Sequence, residues 1–267
     1  MLGAIAGDIV GSPYEFGRKR VSPGKFVLFP AEANYTDDTL LTLAVGHALL
    51  EVAGDESKGP QAVTTAMRDF AKAYRLPKGG YGGMFRQWLQ EADPKPYGSF
   101  GNGSAMRVSA VGWLFPTLPQ VERWAEITAA VTHNHPEGIK GAQATAGAIF
   151  LARNGKTKQE IKTYLENRFS YDLSMPWKTL QARGGKGVSC QETVPEAVLA
   201  FLAAESFKDC LWRAVSLGGD TDTRAAIAGS IAEGYFTIPH RFDKEVRKRL
   251  APGLLEVLNR FQDKVSP

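Results

Sequence analysis

The chain has 267 residues, of which 43% are hydrophobic and 22% charged. This composition is typical of a globular protein with a buried core and excludes disordered, collagen-like and coiled-coil chains. Lys and Arg outnumber Asp and Glu by 32 to 28, and the net charge of +4 is spread without a basic run, so nucleic-acid binding is not indicated.

Cysteine content and apolar run lengths indicate the compartment. Cys190 and Cys210 are too few for a disulfide framework and lack zinc-site spacing. The first apolar stretch has no leading Lys or Arg and is interrupted by Asp8, and no other stretch approaches the roughly 20 apolar residues of a membrane helix. We therefore expect a cytoplasmic protein without a membrane span, a single domain over residues 1–267 and, by preference, a monomer.

Apolar residues recur with a period near 3.6 through most of the chain, which predicts helices. In the first helix Gly3, Gly7 and Gly11 form a bare stripe along which another helix can pack closely. The only β-like run, Lys25–Phe29, is too short to build a sheet. An all-α, single compact multi-helix domain is therefore predicted. The further predicted helices are Asp37–Val52, Gln61–Arg75, Ser104–Phe115, Gln120–Val131, Glu137–Arg153, Lys158–Asn167, Pro195–Ala204, Thr223–Tyr235 and Gly253–Phe261.

Glu15 follows the first helix. It lies about two helical turns beyond Asp8, so both side chains would point to one side if the helix extended that far, but Pro13 predicts an earlier end. A single Glu in a loop is normally solvated. A ligand role for Glu15 therefore stays open on spacing alone.

Two acidic clusters, 36–38 and 220–223, stand where predicted helices begin. Ser, Thr and Asp commonly cap helix N-termini, and Thr36 is a predicted cap, so either cluster alone is explained by capping. Capping needs one such residue, however, whereas each helix here brings two carboxylates. Crowding four carboxylates costs repulsion that a hard divalent cation would relieve. If the two helix starts meet, they predict a Mg²⁺ or Mn²⁺ centre, with room in the ligand set for two ions.

Gly98–Ser104 is a glycine-rich loop that runs directly into a predicted helix. Its backbone N–H groups and the helix N-terminus can form a nest for a diphosphate, and Phe100 offers a ring on which a base can stack. The alternatives are a simple turn with Ser104 as the helix cap and, for Phe100, a residue of the core. Gly79–Gly83 is a comparable loop.

The remaining polar motifs are less specific. Gln181–Thr193 is the longest irregular segment, which favours a functional loop, but its glycines lack P-loop spacing. His133 closes a predicted helix, where a His is commonly a favourable dipole partner; hydrogen bonding to a substrate is the alternative. No GxSxG motif occurs and neither Cys has a nearby His, so covalent catalysis has little support.

Taken together, these motifs resemble the ADP-ribosylglycohydrolase family, which includes the hydrolase that reactivates dinitrogenase reductase. They occur in family order over nearly the whole chain, and the paired acidic motifs are the specific ones. The resemblance implies an all-α fold with a binuclear Mg²⁺ or Mn²⁺ site in a cleft, and hydrolysis at the anomeric carbon of the distal ribose of ADP-ribose. The matching stretches are Gly3–Asp8 with Glu15, Tyr35–Thr39, Gly80–Gly82, Ser99–Arg107, Thr132–His133 and Gly218–Thr223.

The resemblance also implies roles for individual residues. The implied metal ligands are Thr36, Asp37, Asp38, Asp220, Asp222, Thr223 and, as an additional ligand, Glu15. The implied substrate contacts are Gly80, Tyr81 and Gly82 beside the distal ribose, Ser99, Phe100, Gly101 and Asn102 around the diphosphate, with Phe100 on the adenine, and His133 near the metals. The catalytic carboxylates are Asp38, Glu15 and Asp37, and either Asp38 or Glu15 assists proton transfer.

Three functions remain open on the sequence. The favoured one is removal of ADP-ribose from a modified macromolecule, preferably an arginine side chain. The second is hydrolysis of a small conjugate such as O-acetyl-ADP-ribose, and the third is an idle binding or structural protein, since the family is similar to certain lens crystallins. The intact acidic clusters argue against idleness. Arg224 departs from the small or aliphatic residue frequent at its position, and predicts either an extra anion contact or a surface residue of its helix.

Overall fold

A computed structural model describes residues 1–17 and 20–266, and these fold into helices joined by turns and loops of varied length. Within these ranges no β-strand forms, and Gly101 and Ser189 make only an isolated bridge, so the all-α prediction is confirmed. A 3₁₀ turn, Ser12–Tyr14, follows the first helix. The α-helices are α1 (Leu2–Gly11), α2 (Asp37–Val52), α3 (Gly59–Ala73), α4 (Gly83–Gln90), α5 (Gly103–Met106), α6 (Ser109–Leu114), α7 (Leu118–Ala130), α8 (Pro136–Arg153), α9 (Lys158–Phe169), α10 (Trp177–Arg183), α11 (Cys190–Ala203), α12 (Phe207–Ser216), α13 (Thr221–Tyr235), α14 (His240–Arg249) and α15 (Pro252–Val265).

The glycine stripe of α1 packs against α13, as its spacing predicts. A Cβ atom added at Gly7 would lie 2.0 Å from the carbonyl oxygen of Ala225, and one at Gly11 would lie 2.5 Å from the Cα atom of Asp222. Only glycine permits this approach. The close contact carries the end of α1, and the turn after it, to the first residues of α13.

Helices α1, α2, α8, α11 and α13 enclose a continuous hydrophobic core. Ile5, Leu43, Ile149, Val198 and Ile227, one from each helix, are fully buried. Burial of this kind supplies most of the free energy that holds helices in place, since helix propensity alone is weak. Within the described residues, no helix is both long and apolar enough to cross a membrane.

Several predicted boundaries are wrong. Ser104–Phe115 divides into α5 and α6, because the backbone leaves helical geometry at Arg107, whose side chain is drawn into the interior. Helix α11 begins at Cys190 and contains Pro195, and α10 ends at Arg183, so the irregular segment narrows to residues 184–189. Lys25–Phe29 forms turns and bends.

The sequence prediction also missed four helices: α4, α10, α12 and α14. Three of them are short or strongly charged, and α14 buries only Phe242 and Val246. The start of α12 had a sequence signal, because Ser206 is a residue type that commonly caps helices, and in the structure its side chain accepts a hydrogen bond from the backbone N–H of Asp209.

Candidate metal centre and substrate cleft

The N-termini of α2 and α13 meet beside the turn that follows α1, at the floor of a cleft of about 330 Å³. The structure thereby brings together both acidic clusters, Glu15 and the glycine loops. The predicted site residues that line this cleft are Glu15, Asp37, Asp38, Gly80, Gly82, Ser99, Gly101, Asn102, His133, Asp220, Asp222 and Thr223. Thr36 lies buried behind them, Tyr81 packs beside Phe85, and Phe100 lies outside the lining.

Asp8 holds the start of α2. Its carboxylate accepts hydrogen bonds from the backbone N–H and hydroxyl groups of Thr36, both at 2.9 Å, and from those of Thr39, at 3.0 and 2.5 Å. The hydroxyl oxygen of Thr36 in turn accepts from the backbone N–H of Asp38 at 3.2 Å. The predicted cap is therefore confirmed at Thr36.

Since Thr36 caps α2, capping does not account for the carboxylates that follow it. Asp38 is buried, and its Oδ2 atom has no hydrogen-bond partner among the described residues. An unpartnered buried carboxylate oxygen is costly, so native proteins normally satisfy it with a donor or a metal ion. The capping alternative thus fails for Asp38.

The α13 side contributes a second group of carboxylates. Oxygen atoms of Glu15, Asp220 and Asp222 lie within 4.8 Å of one another. Glu15 reaches this position because the backbone N–H of Phe16 donates to the carbonyl oxygen of Gly219 at 2.8 Å. The first helix ends before Glu15, so the connection between Glu15 and the site is made by this turn and not by a helical face.

Burial and mutual repulsion raise the pKa values of these acids. Burial, then the charge of Asp8, raise the pKa of Asp37 to about 7. Burial is also the main cause that raises the pKa of Asp38 and of Asp222 well above the usual range, with neighbouring carboxylates adding to it. The pKa of Glu15 is raised by burial and by Asp220. The structure therefore crowds carboxyl groups that raise one another's pKa values.

This oxygen-only donor set, with one orphaned buried oxygen, fits a hard divalent cation such as Mg²⁺ or Mn²⁺. Neither sulfur nor imidazole belongs to the three-residue cluster of Glu15, Asp220 and Asp222. The fit concerns the chemistry of the donors, which suits these ions better than zinc.

Asn102 contacts the acidic centre through its side chain. Its amide nitrogen donates to Oδ2 of Asp220 at 2.6 Å and to the hydroxyl of Thr193 at 3.1 Å. The side chain of Asn102 thus orients the carboxylate that precedes α13, and the diphosphate contact expected of this residue stays a prediction. This residue links the glycine loop to the candidate metal centre.

The glycine loop before α5 is held in place by hydrogen bonds from its own backbone N–H groups. The N–H groups of Gly98, Gly101 and Asn102 donate to the side chain of Asn134, the hydroxyl of Ser99 and the carbonyl of Val188. These three N–H groups already have acceptors within the protein, so the loop has fewer N–H groups left to bind an anion than its glycine content suggests. The cap alternative for Ser104 is wrong, because Ser104 lies inside α5 and donates to the carbonyl of Gly138.

Phe100 is a surface residue of this loop. Half of its surface is exposed, and its ring centroid lies 5.3 Å from that of His135. The core alternative is therefore wrong. Stacking on adenine stays a prediction that this exposure permits.

His133 faces the cleft from a buried polar chain. Arg107 donates to the hydroxyl oxygen of Thr132 at 2.7 Å, and that hydroxyl lies 2.7 Å from Nδ1 of His133. Burial and the charge of Arg107 hold the pKa of His133 well below its usual range, so the ring is a neutral N–H donor.

The sequence analysis missed the supporting roles of Asp8, Arg107 and Glu196. Asp8 had a signal, since it is the one charged residue in an otherwise apolar helix. Arg107 and Glu196 had none, because their partners are distant in the chain. Arg224 is fully buried against Glu196, so its interpretation as a surface residue is wrong.

Comparisons with known proteins return proteins of one kind. The family model described as ADP-ribosylglycohydrolase matches residues 1–264. ADP-ribosylhydrolase ARH3 of Homo sapiens is 29% identical over an alignment of 311 positions, gaps included, which covers 88% of this chain and 84% of that protein. The ADP-ribosyl-[dinitrogen reductase] glycohydrolase of Rhodospirillum rubrum is 28% identical over 255, covering 86% and 82%. A solved ADP-ribosylglycohydrolase-related protein complex shares the fold, with a TM-score of 0.73, 21% identity and coverage of 99% and 97%.

Proposed function

The chain belongs to the ADP-ribosylglycohydrolase family of hydrolases, and on that premise we propose that it removes ADP-ribose from a modified macromolecule in a reaction that requires Mg²⁺ or Mn²⁺. The observation that carries the proposal is the meeting of two helix N-termini and the Glu15 turn in one cleft, where buried carboxylates crowd together. A catalytically idle relative has no use for such repulsion.

The residues that would hold two ions are those at the two helix starts and the turn beside them. They are Thr36, Asp37, Asp38, Asp220, Asp222, Thr223 and Glu15. When bound, divalent cations supply positive charge that orients ribose hydroxyls and lowers the pKa of water.

The chain's own groups have distinct tasks around the substrate. The unpartnered oxygen of Asp38 is available to accept a proton from water, and Glu15, half-buried on its turn, is the second carboxylate for proton transfer. The neutral ring of His133, which lines the cleft, hydrogen-bonds the substrate. The loops that contain Gly80 and Ser99 form the walls that align the distal ribose and the diphosphate.

An arginine side chain is the leaving group that we propose. A guanidinium is cationic, whereas serine and acetyl groups are neutral, and Glu15 is a half-buried carboxylate at the centre. Opposite charge at a partly desolvated position favours the cationic group. The relatives named above do not distinguish these substrates, because they are similar to this chain to nearly the same degree.

The test compares substrates and ions in one assay. Release of ADP-ribose is measured by chromatography from arginine-, serine- and O-acetyl-linked conjugates, with Mg²⁺, with Mn²⁺ or after exhaustive EDTA treatment. We expect release from the arginine conjugate only when a divalent ion is present. Full turnover in EDTA would contradict the metal requirement, and faster release from another conjugate would reassign the leaving group.

A further inference from the structure

Arg224 follows Thr223 in α13 and is fully buried. Its Nε atom donates to Oε2 of Glu196 at 2.7 Å. Its Nη1 atom donates to the carbonyl oxygens of Gly218 at 2.5 Å and Asp220 at 3.1 Å. Its Nη2 atom donates to those of Lys186 at 2.9 Å and Gly187 at 3.3 Å. The five N–H donors of the guanidinium are therefore all used, which leaves none for a ligand.

Glu196 balances the buried charge. It lies on α11, is 3% exposed, and also accepts from the backbone N–H of Lys186 and from Arg183. A buried ion pair is tolerated when both partners have such full hydrogen bonding. We call Arg224 and Glu196 the buried pair.

The first segment that the buried pair holds is the turn that carries Asp220. Gly218 and Gly219 both have positive φ angles, of +74° and +67°, so this turn needs glycine and has little stiffness of its own. The guanidinium binds the carbonyl of Gly218, which lies between these two φ angles, and the carbonyl of Asp220, which follows them. It thereby sets the direction in which Asp220 enters α13.

The second segment is the wall of the cleft. Lys186 and Gly187 directly precede Val188, which lines the cleft and accepts the backbone N–H of Asn102 at 2.8 Å. A Cβ atom at Gly185 would lie 2.4 Å from Cζ of Arg224, so the loop closes over the guanidinium at a glycine. One side chain therefore connects the turn of a candidate metal ligand with the wall that faces the substrate.

We propose that Arg224 is a positioning residue, which acts through the backbone of Gly218 and Asp220 to place the Asp220 carboxylate for divalent-cation binding. The inference rests on the metal-dependent function proposed above. The fork of five donors is what reaches four carbonyls and a carboxylate at once. Lysine carries a single ammonium with three donors and cannot hold both segments.

The experiment is a Mn²⁺ titration followed by electron paramagnetic resonance, on wild-type protein, Arg224→Lys and a matched control, Arg249→Lys. Arg249 also pairs with a glutamate and donates to a distant carbonyl, that of Ala33, but its hydrogen bonds reach neither the Asp220 turn nor the cleft wall. We expect Arg224→Lys to weaken Mn²⁺ binding by about 10–100-fold, the range found when residues that orient metal ligands are lost. The control should bind Mn²⁺ as the wild type does.

Thermal melts of the metal-free proteins separate positioning from plain stabilisation. A lower melting temperature with unchanged Mn²⁺ affinity in Arg224→Lys would overturn the inference and leave the proposed function standing. If Arg224→Lys does not fold, Glu196→Gln replaces it, with a smaller loss of Mn²⁺ affinity expected and no loss overturning the inference. Wild-type protein that binds no Mn²⁺ would overturn both proposals.

Discussion

The two acidic sides of the candidate centre are held in place by groups of opposite kind. On the α2 side the holding group is Asp8, an anion that accepts hydrogen bonds from Thr36 and Thr39. On the α13 side Asp220 is held by donors, namely the amide of Asn102 and the guanidinium of Arg224. The first arrangement fixes the ligands and adds negative charge, whereas the second fixes them without adding any.

This difference is visible in the pKa values on the α2 side. The charge of Asp8 is the second-largest cause, after burial, of the raised pKa values of Asp37 and Asp38. Asp8 itself has its pKa raised to about 6 by burial, although four hydrogen bonds oppose that shift. The α2 side is therefore ordered for cation binding before any cation arrives, at a cost that a cation would remove.

The largest expected effect tests whether both sides are needed. Asp37→Ala and Asp222→Ala should each lower turnover by more than the roughly 10–100-fold seen when a residue that orients a ligand is lost. Both metal-free variants should stay folded, because each removes one of several repelling carboxylates. Assays of ADP-ribose release and thermal melts measure the two outcomes. Asp93→Ala, in an exposed ion pair, is the control.

Near-normal turnover in Asp37→Ala would show that the carboxylates on the α13 side are sufficient for activity and that Asp37 is not a required ligand. Unfolding of Asp222→Ala would instead return the start of α13 to a capping role.

The next effect compares the two holding groups directly. Asp8→Asn should lower both Mn²⁺ affinity and melting temperature, because an amide cannot accept all four hydrogen bonds at the start of α2. Asn102→Ala should lower Mn²⁺ affinity by about 10–100-fold with a small change in melting temperature, since only the amide contacts are lost. Calorimetric titration and melts on the same samples measure both.

If Asn102→Ala lowered the melting temperature of the metal-free protein as much as Asp8→Asn did, an anionic and a neutral holding group would contribute equally to stability, which would contradict the expected difference. Asn154→Ala, which removes an exposed amide contact elsewhere, corrects for loss of a single hydrogen bond.

Phe100 lies outside both sides and tests the cleft wall. Phe100→Ala should weaken ADP-ribose binding by about 1–3 kcal/mol, the range for base–aromatic stacking, while Phe100→Trp should retain most of it. Because the ring is half exposed, the melting temperature should change little. Unchanged calorimetric affinity in Phe100→Ala would remove the stacking role without affecting either acidic side.

The smallest expected effect is a pH dependence of metal-free stability. Carboxyl groups whose pKa is higher in the folded than in the unfolded protein bind extra protons when folded, so their contribution to stability is lost as pH rises. Asp8 and Asp37, with pKa values near 6 and 7 against an ordinary 3.8, set the window between about pH 4 and 7. The melting temperature in EDTA should fall by a few degrees from pH 5 to 7.5.

Saturating Mn²⁺ should reduce or reverse this fall, and Asp37→Ala should flatten it more than Asp222→Ala does if the α2 side carries the greater strain. A melting temperature that rises from pH 5 to 7.5 in EDTA would contradict the raised carboxyl pKa values of the folded protein.

The sequence by itself determined the helical class, the cap at Thr36, the glycine stripe of α1 and the two acidic helix starts. Each depends on a few neighbouring residues, because helical period, capping and the space for a close approach are local properties. The family motifs added the pairing of those helix starts, which no local rule contains.

Only the tertiary structure decided what holds the acids in place. Asp8 contacts Thr36 across 28 residues of sequence, Asn102 contacts Asp220 across 118, and Arg224 contacts Glu196 across 28. The family resemblance implied only a diphosphate contact for Asn102, and the sequence left Arg224 as either an anion contact or a surface residue. Their roles depend on which donors and acceptors are buried together, and burial of a polar group is settled by the packing of whole helices and not by its neighbours in the chain.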